Sequence, residues 1–243
     1  MKISVITLTK NNCTTLERAM VSLIDQTYKN YEHIIVDAHS NDCTLDILDK
    51  YQKYISVVLH DKGEGIYSAL NLGIQAASGD IIGILHADDF FANKSILERI
   101  AGLFKQGADI VYGDVIYVLP NGRLWRYWKA GDFKKSKLSY GWMPPHTSVF
   151  VKKKLFEQYG YYREDMRIAS DYDMILRFFS KKLQIKYLPE IIVVMTVGGE
   201  SNRNLKNILI KMKEDRRVAI DNGYNGLKVV LFKNLRKIRQ IVI

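Results

Sequence analysis

Short β-branched runs alternate with helix-spaced segments through the first third of the chain, and this alternation constrains the fold more than any other feature. Residues 3–8 (ISVITL), 33–36 (HIIV), 57–59 and 81–85 (IIGIL) read as strands. Between them, residues 14–26 carry Leu16, Met20, Leu23 and Ile24 at helical spacing, residues 43–54 carry Leu45, Leu48 and Tyr51, and residues 67–77 form a third helix. Such alternation predicts an α/β domain with a mostly parallel, mixed sheet and helices on both faces. Ligands of such sheets collect at the carboxyl ends of the strands. Asp37 and the pair Asp88–Asp89 stand at those ends.

The second half follows another pattern. Residues 110–118 and 123–128 flank Asn121-Gly122, which predicts a β-hairpin with a primed turn. A strand is expected at residues 147–151 and a helix around 153–159. Residues 171–179 (DYDMILRFF) begin another helix with two carboxylates in its first turn. No internal repeat is visible, and no boundary precedes about residue 200.

Charge sharpens that boundary. The 243 residues hold 36 Lys+Arg and 26 Asp+Glu, a net of +10. Of this, +8 lies in residues 202–243, so a near-neutral body carries a basic tail. No zinc-finger, RNP or helix-turn-helix signature accompanies the charge, so nucleic acid is not an expected partner. No apolar run reaches the ~18–20 residues of a membrane span, and the first residues enter a strand without a cleavable leader. Cys13 and Cys43 make no disulfide framework, and a reducing compartment is the default expectation.

The loop after the first strand, Thr7 to Asn12, has no glycine, which excludes the dinucleotide fingerprint and the P-loop. Adjacent carboxylates such as Asp88 and Asp89 repel unless a cation or donors neutralise them. A hard divalent ion held by them and by a diphosphate is one reading. The other is an N-cap of a helix over residues 90–104. Asp171 and Asp173 are equally open: a catalytic carboxylate, or two acids favouring a helix N-terminus.

The segments SVITLTKNN, QTYKNYEHIIVDAHSNDCT, GIYSALNLGIQAASGDIIGILHADD, PPHTSVFV and IASDYDMILRF, in this order, resemble the family 2 glycosyltransferases of GT-A fold. The resemblance spans roughly residues 1–200 and is nearest the colanic-acid type of surface-polysaccharide enzymes, whose GIYDAMN pattern appears here as GIYSALN. It implies a catalytic domain over residues 1–201 and a tail over 202–243. It also implies an inverting hexosyl transfer from a nucleotide diphospho-sugar, UDP-linked first of all, with Mn²⁺ or Mg²⁺ as cofactor. Thr7, Thr9 and Asn11 would line the nucleotide pocket. Asp37, unless it only ends its strand in a turn, would accept a hydrogen bond from the base, with Ser40 nearby. Gly65, unless a turn glycine, and Asn71 would approach the donor sugar or diphosphate. Asp88 matches the metal ligand of the DxD motif, with Asp89 beside it. His86 stands where the commoner pattern has a first aspartate and would contact the donor. Asp171 matches the catalytic base, with Ser170 in place of the usual glutamate, and Asp173 would orient the helix. His146 matches a position touching acceptor or diphosphate, or is simply structural. Trp125, Trp128 and Trp142 are either sugar platforms or core, and residues 198–201 match a loop that closes over the donor.

In the tail, Leu227, Val230, Leu231, Leu235, Ile238, Ile241 and Val242 fall at helical spacing, with Lys228, Lys233, Arg236, Lys237 and Arg239 on the other side. This basic amphipathic helix either lies on an anionic membrane or packs on the body with a solvated basic face. The membrane reading goes with a polyprenyl-diphosphate-linked glycan acceptor at the cytoplasmic face of a bacterial inner membrane. Two rivals remain: a sugar nucleotidyltransferase, which the missing glycine-rich loop disfavours, and an inactive transferase-like subunit that binds glycan or membrane.

Overall fold

The computed structural model describes residues 1–197 and 205–238. The loop 198–201 and the tail positions Arg239, Ile241 and Val242 lie outside the described residues.

Four strands, β1 (Ile3–Thr9), β2 (Tyr31–Asp37), β3 (Val57–His60) and β4 (Ile81–Ile84), run parallel in the order β3-β2-β1-β4. The helices α1 (Leu16–Ile24), α2 (Thr44–Lys50) and α3 (Ile66–Ala76) connect them, as the alternation predicts. Beyond β4 the sheet becomes mixed. It continues through β8 (Phe150–Lys152), β6 (Ile110–Val118), β9 (Ile185–Thr196) and β5 (Phe90–Phe91), while β7 (Leu124–Trp128) pairs along the later part of β6. α4 (Ile96–Lys105), α5 (Lys154–Tyr159) and α6 (Ser170–Phe179) complete the body.

Successive strand residues point to opposite faces, and both faces are buried. Ile6, Ile34, Val36, Ile84 and Tyr112 meet α3, α5 and α6 on one side, whereas Val5, Ile81, Val111 and Val115 meet α1 and α4 on the other. Gly83 lets Phe150 lie flat on β4, because a Cβ there would stand 2.2 Å from the phenyl ring.

Three expectations need correcting, and one strand was not foreseen. Residues 90–104 are not one helix: β5 follows Asp89 directly and α4 starts only at Ile96, so Asp88 and Asp89 cap no helix. The hairpin at Asn121-Gly122 exists, but Gly122 alone of the pair has positive φ, at 79°. Leu119 and Arg123 close a three-residue loop instead of a primed two-residue turn, through Leu119 N–H donating to the Arg123 carbonyl at 2.9 Å. Cys13 and Cys43 are joined by a disulfide, their Cα atoms 5.2 Å apart, because the loop after β1 folds against the start of α2. Asn12 N–H donates to Thr44 Oγ1 there at 2.9 Å. Finally, β9 is a strand concealed in the sequence, since Pro189 and Glu190 interrupt its alternation. The register steps across them, from Leu188 opposite Gly113 to Ile191 opposite Asp114.

The basic segment packs on the body. α7 (Leu205–Asp221) presents Glu214, whose carboxylate accepts the N–H groups of Arg167, Ile168 and Ala169 at 2.8–2.9 Å. These orphan donors lead into the N-terminus of α6, so a tail residue caps a body helix. In α8 (Gly226–Ile238) the inward side carries Val229 and Lys233, the lysine buried against Asp215 at 2.6 Å. Lys233 is thus not on a solvated face. Leu227, Leu231 and Leu235 point outward, 70%, 57% and 49% exposed. No helix among the described residues is long and apolar enough to cross a membrane.

Candidate active site

At the carboxyl ends of β1 and β2 the loops lock together. Asp37 is buried; its carboxylate accepts Ser40 N–H at 3.0 Å and Ser40 Oγ–H at 2.5 Å. Asn11 N–H donates to the same Ser40 hydroxyl at 2.9 Å, and Asn41 N–H returns to Asn11 Oδ1 at 2.9 Å. Asn11 and His39 hold φ of 52° and 54°, the two non-glycine residues with positive φ among those described. Strained backbone of this kind tends to mark binding loops. Thr9, with its hydroxyl on Asn12 at 3.3 Å, borders these loops. Thr7 lies deeper, fully buried and hydrogen-bonded to His33 Nε2 at 2.9 Å, so it supports the floor rather than facing a ligand.

Gly65 opens α3 with φ 113° and an open flank where a Cβ would meet nothing. Asn71 is spent on structure. Its amide donates to the Tyr162 carbonyl at 2.9 Å and to Glu164 at 2.7 Å, and it accepts Tyr162 N–H at 2.9 Å. It ties α3 to the segment before α6.

After β4 the chain delivers His86, Asp88 and Asp89. Both Asp89 oxygens are buried, and neither has a hydrogen-bond partner among the described residues. Burial, then the charge of Asp88, pushes its carboxyl well above the usual range. Asp88 is raised by burial too. Two adjacent buried carboxylates at a strand end, one of them without a hydrogen-bond partner among the described residues, favour positive charge nearby. Arg18 on α1 and Thr196 at the end of β9 fix this turn by donating to the Asp88 carbonyl at 3.1 and 3.0 Å. Neither was legible as a site residue, because nothing local marks an arginine on α1 as a neighbour of residue 88.

His146 sits between the two halves. Its Nε2 is 3.4 Å from His86 Nε2 and its Nδ1 is 3.5 Å from Asp171 Oδ2. The tautomer that satisfies both contacts donates from Nδ1–H to Asp171 and accepts at Nε2. Burial lowers both imidazoles: His86 falls to about 3, helped by His146, and His146 falls despite the opposing Asp171 charge. Asp171 keeps 15% of its side chain exposed. Burial would raise its carboxyl, but His146, Lys211 and Lys233 together hold it below the ordinary aspartate value. Lys211, on α7, comes from the segment whose charge suggested a membrane address. Tyr67, from the GIYSALN motif, lies against Asp171, whose charge adds to burial in raising the phenol.

Asp173, two residues on, does not share this pocket. It is buried and paired with Arg177 at 2.6 Å and Asn222 at 3.1 Å, which makes it structural. Trp142 belongs to the core, its indole N–H donating to the Ala130 carbonyl at 3.1 Å.

The same order of motifs defines a family. Residues 4–183 match the model described as glycosyl transferase family 2. The chain belongs to that family. Its relatives include the PGL/p-HBAD biosynthesis glycosyltransferase of Mycobacterium bovis, 30% identical over 225 residues that cover 89% of this chain and 86% of the relative. An uncharacterized glycosyltransferase of Bacillus subtilis, YwdF, is 27% identical over 88% of this chain and 81% of its own. Among solved structures, S. aureus TarS residues 1–349 in complex with UDP-GlcNAc superimposes with a TM-score of 0.69 at 21% identity, covering 91% of this chain and 66% of that one. The present chain spans 39% of the longer TarS chain. The mannosyltransferase PcManGT from Pyrobaculum calidifontis, in complex with GDP-Man and Mn²⁺, gives a TM-score of 0.68 at 16% identity over 95% and 68% of the two chains. This family 2 glycosyltransferase therefore has the expected GT-A type α/β fold.

Proposed function

We propose that this glycosyltransferase moves one hexose, with inversion, from a nucleotide diphospho-sugar to a hydroxyl of a lipid-linked saccharide in surface-polysaccharide synthesis. A UDP-sugar is the first donor to test. The observation that carries this reading is Asp171: an ionised, partly exposed carboxylate, held by His146 beside a turn whose Asp89 has buried, unpartnered oxygens.

In the reaction, the acceptor oxygen attacks the anomeric carbon as the bond to the diphosphate oxygen breaks. Asp171 takes the acceptor proton. One displacement inverts the configuration and needs no second carboxylate as nucleophile. His146 fixes the orientation of Asp171, and Lys211 and Lys233 keep it ionised. Asp37, Ser40, Asn11 and Thr9 frame the base and ribose, and Gly65 opens the path of the sugar. Asp88 and Asp89 fit a divalent cation, Mn²⁺ or Mg²⁺, which takes one or two carboxylates and completes its shell with phosphate and water. When bound, it supplies positive charge to the departing diphosphate. Among the described residues no cluster of three His, Cys, Asp or Glu exists, so Asp88 and Asp89 would be the protein's share of its ligands.

The outward Leu227, Leu231 and Leu235, with Lys228 on the same helix, support a peripheral seat on the anionic cytoplasmic face of a bacterial membrane. A thermal-shift screen of nucleotide sugars with Mn²⁺ tests the donor reading, because a ligand of the folded state raises Tm. Stabilisation by a UDP-sugar is expected; indifference to every nucleotide sugar would end this reading.

A further inference from the structure

A cavity of about 90 Å³ lies between β7, residues 141–143 and α8. At ~30 Å³ per water, that is room for about three waters, the scale of one phosphate group. Its cationic lining is dense: Arg126, Lys129, Lys233 and Arg236, with Trp128 and Trp142 as walls. None of its described lining residues is acidic. Lys233 is neutralised by Asp215. Arg236 is different, since its Nη1 is buried with no hydrogen-bond partner among the described residues. Arg126 is buried and lies over the rings of Tyr117 and Trp128, at 5.0 and 4.7 Å.

The cavity is built, not incidental to loose packing. Gly141 has φ 67°, and a Cβ there would stand 2.7 Å from the Val229 carbonyl, so α8 closes onto this segment because residue 141 is glycine. Tyr140 adds an edge contact to Phe232 and lies under Lys228 Nζ at 3.9 Å. The site also adjoins the base. Lys233 Nζ rests 3.4 Å above the ring of Tyr172, the neighbour of Asp171, and the Tyr172 hydroxyl is itself buried without a partner. Residues 141–143 run on through two prolines to His146.

We propose that this cavity binds a phosphate group of the acceptor, seating a phosphorylated, lipid-linked sugar so that its hydroxyl meets Asp171. The proposal rests on the acceptor reading above. A guanidinium nitrogen that is buried and unpaired lacks the charge-assisted hydrogen bonds that a phosphate oxygen supplies. Two walls come from α8, so the tail completes the acceptor site.

Calorimetric titration of the full chain, saturated with UDP and Mn²⁺ so that the donor site is filled, isolates this cavity from the donor site. The probes are geranyl diphosphate, inorganic phosphate and phosphatidylglycerol vesicles. Arg236→Gln should weaken geranyl diphosphate by about tenfold or more, as loss of a charge-assisted contact does. Lys129→Gln, at an exposed position that does not threaten folding, should weaken it about threefold, while UDP affinity stays unchanged in both. Geranyl diphosphate binding tighter than inorganic phosphate supports the assignment. Absence of binding, equal binding by both variants, equal affinity for inorganic phosphate, or loss confined to the vesicles would overturn it. Failure of the wild type to bind UDP would instead remove the donor reading.

Discussion

The two halves of the molecule solve opposite electrostatic problems. At the ends of β1, β2 and β4, carboxylates gather with few cations: Asp37 is satisfied by Ser40, and Asp89 is left with buried, unpartnered oxygens. Around β7, α6 and the tail helices, cations gather: Lys211, Lys233, Arg126 and Arg236. On the proposed reading, the first half receives a cation together with the donor diphosphate, and the second receives a phosphate group of the acceptor. Asp171 stands at the junction, chained to the first half through His146 and His86. A net charge of +10 spread over the whole sequence hides this division.

The contrast can be broken at several points. Replacing Asp88 by Ala, or adding EDTA, removes the cation seat. Nucleoside diphosphate release should then fall on the order of 10³-fold, measured in a coupled assay; full activity in EDTA would take the metal out of the scheme. Gly83→Ala drives a methyl into the Phe150 ring across the β4–β8 pair, and should cost about 1–3 kcal/mol in urea unfolding. Glu214→Ala strips three N–H groups of their acceptor where α7 meets α6. A loss of about 1–2 kcal/mol is expected, and an unchanged Tm would mean that the tail is not part of the body.

An effect confined to low pH concerns His33, buried under Thr7 and held down to about 4 by desolvation. Its imidazole is neutral in the folded protein, while the unfolded chain takes up a proton near 6.5. Stability is therefore intact above pH 6.5 and declines as pH falls towards 4. His33→Asn should flatten that decline and leave the pH 8 value relatively insensitive to further alkalisation; an equally steep decline would contradict it.

Much of the first half was legible because its elements are local. Each strand is a short apolar run, each helix has its own spacing, and the acids stand where the strands end. The second half depends on partners distant in sequence. β9 is interrupted by Pro189 and Glu190 and becomes a strand only beside β6. Residues 90–104 look helical until β5 pairs with β9. The leucine spacing of α8 identified a helix but not its inward face. That face is decided by Gly141 and Asp215, which admit Val229 and Lys233 while Leu227 and Leu231 stay outside. Lys211 reaches Asp171 only because α7 folds back over α6, and no motif announces that return.

The junction itself is the part to test. With a nucleotide sugar selected by thermal shift, the Asp171→Asn variant should bind donor within about twofold of wild type by calorimetry. Its nucleoside diphosphate release should drop by ~10²–10⁴, the range of a lost general base. Turnover within a few fold of wild type would show that Asp171 does not take the acceptor proton, and that the meeting of the two halves has another purpose.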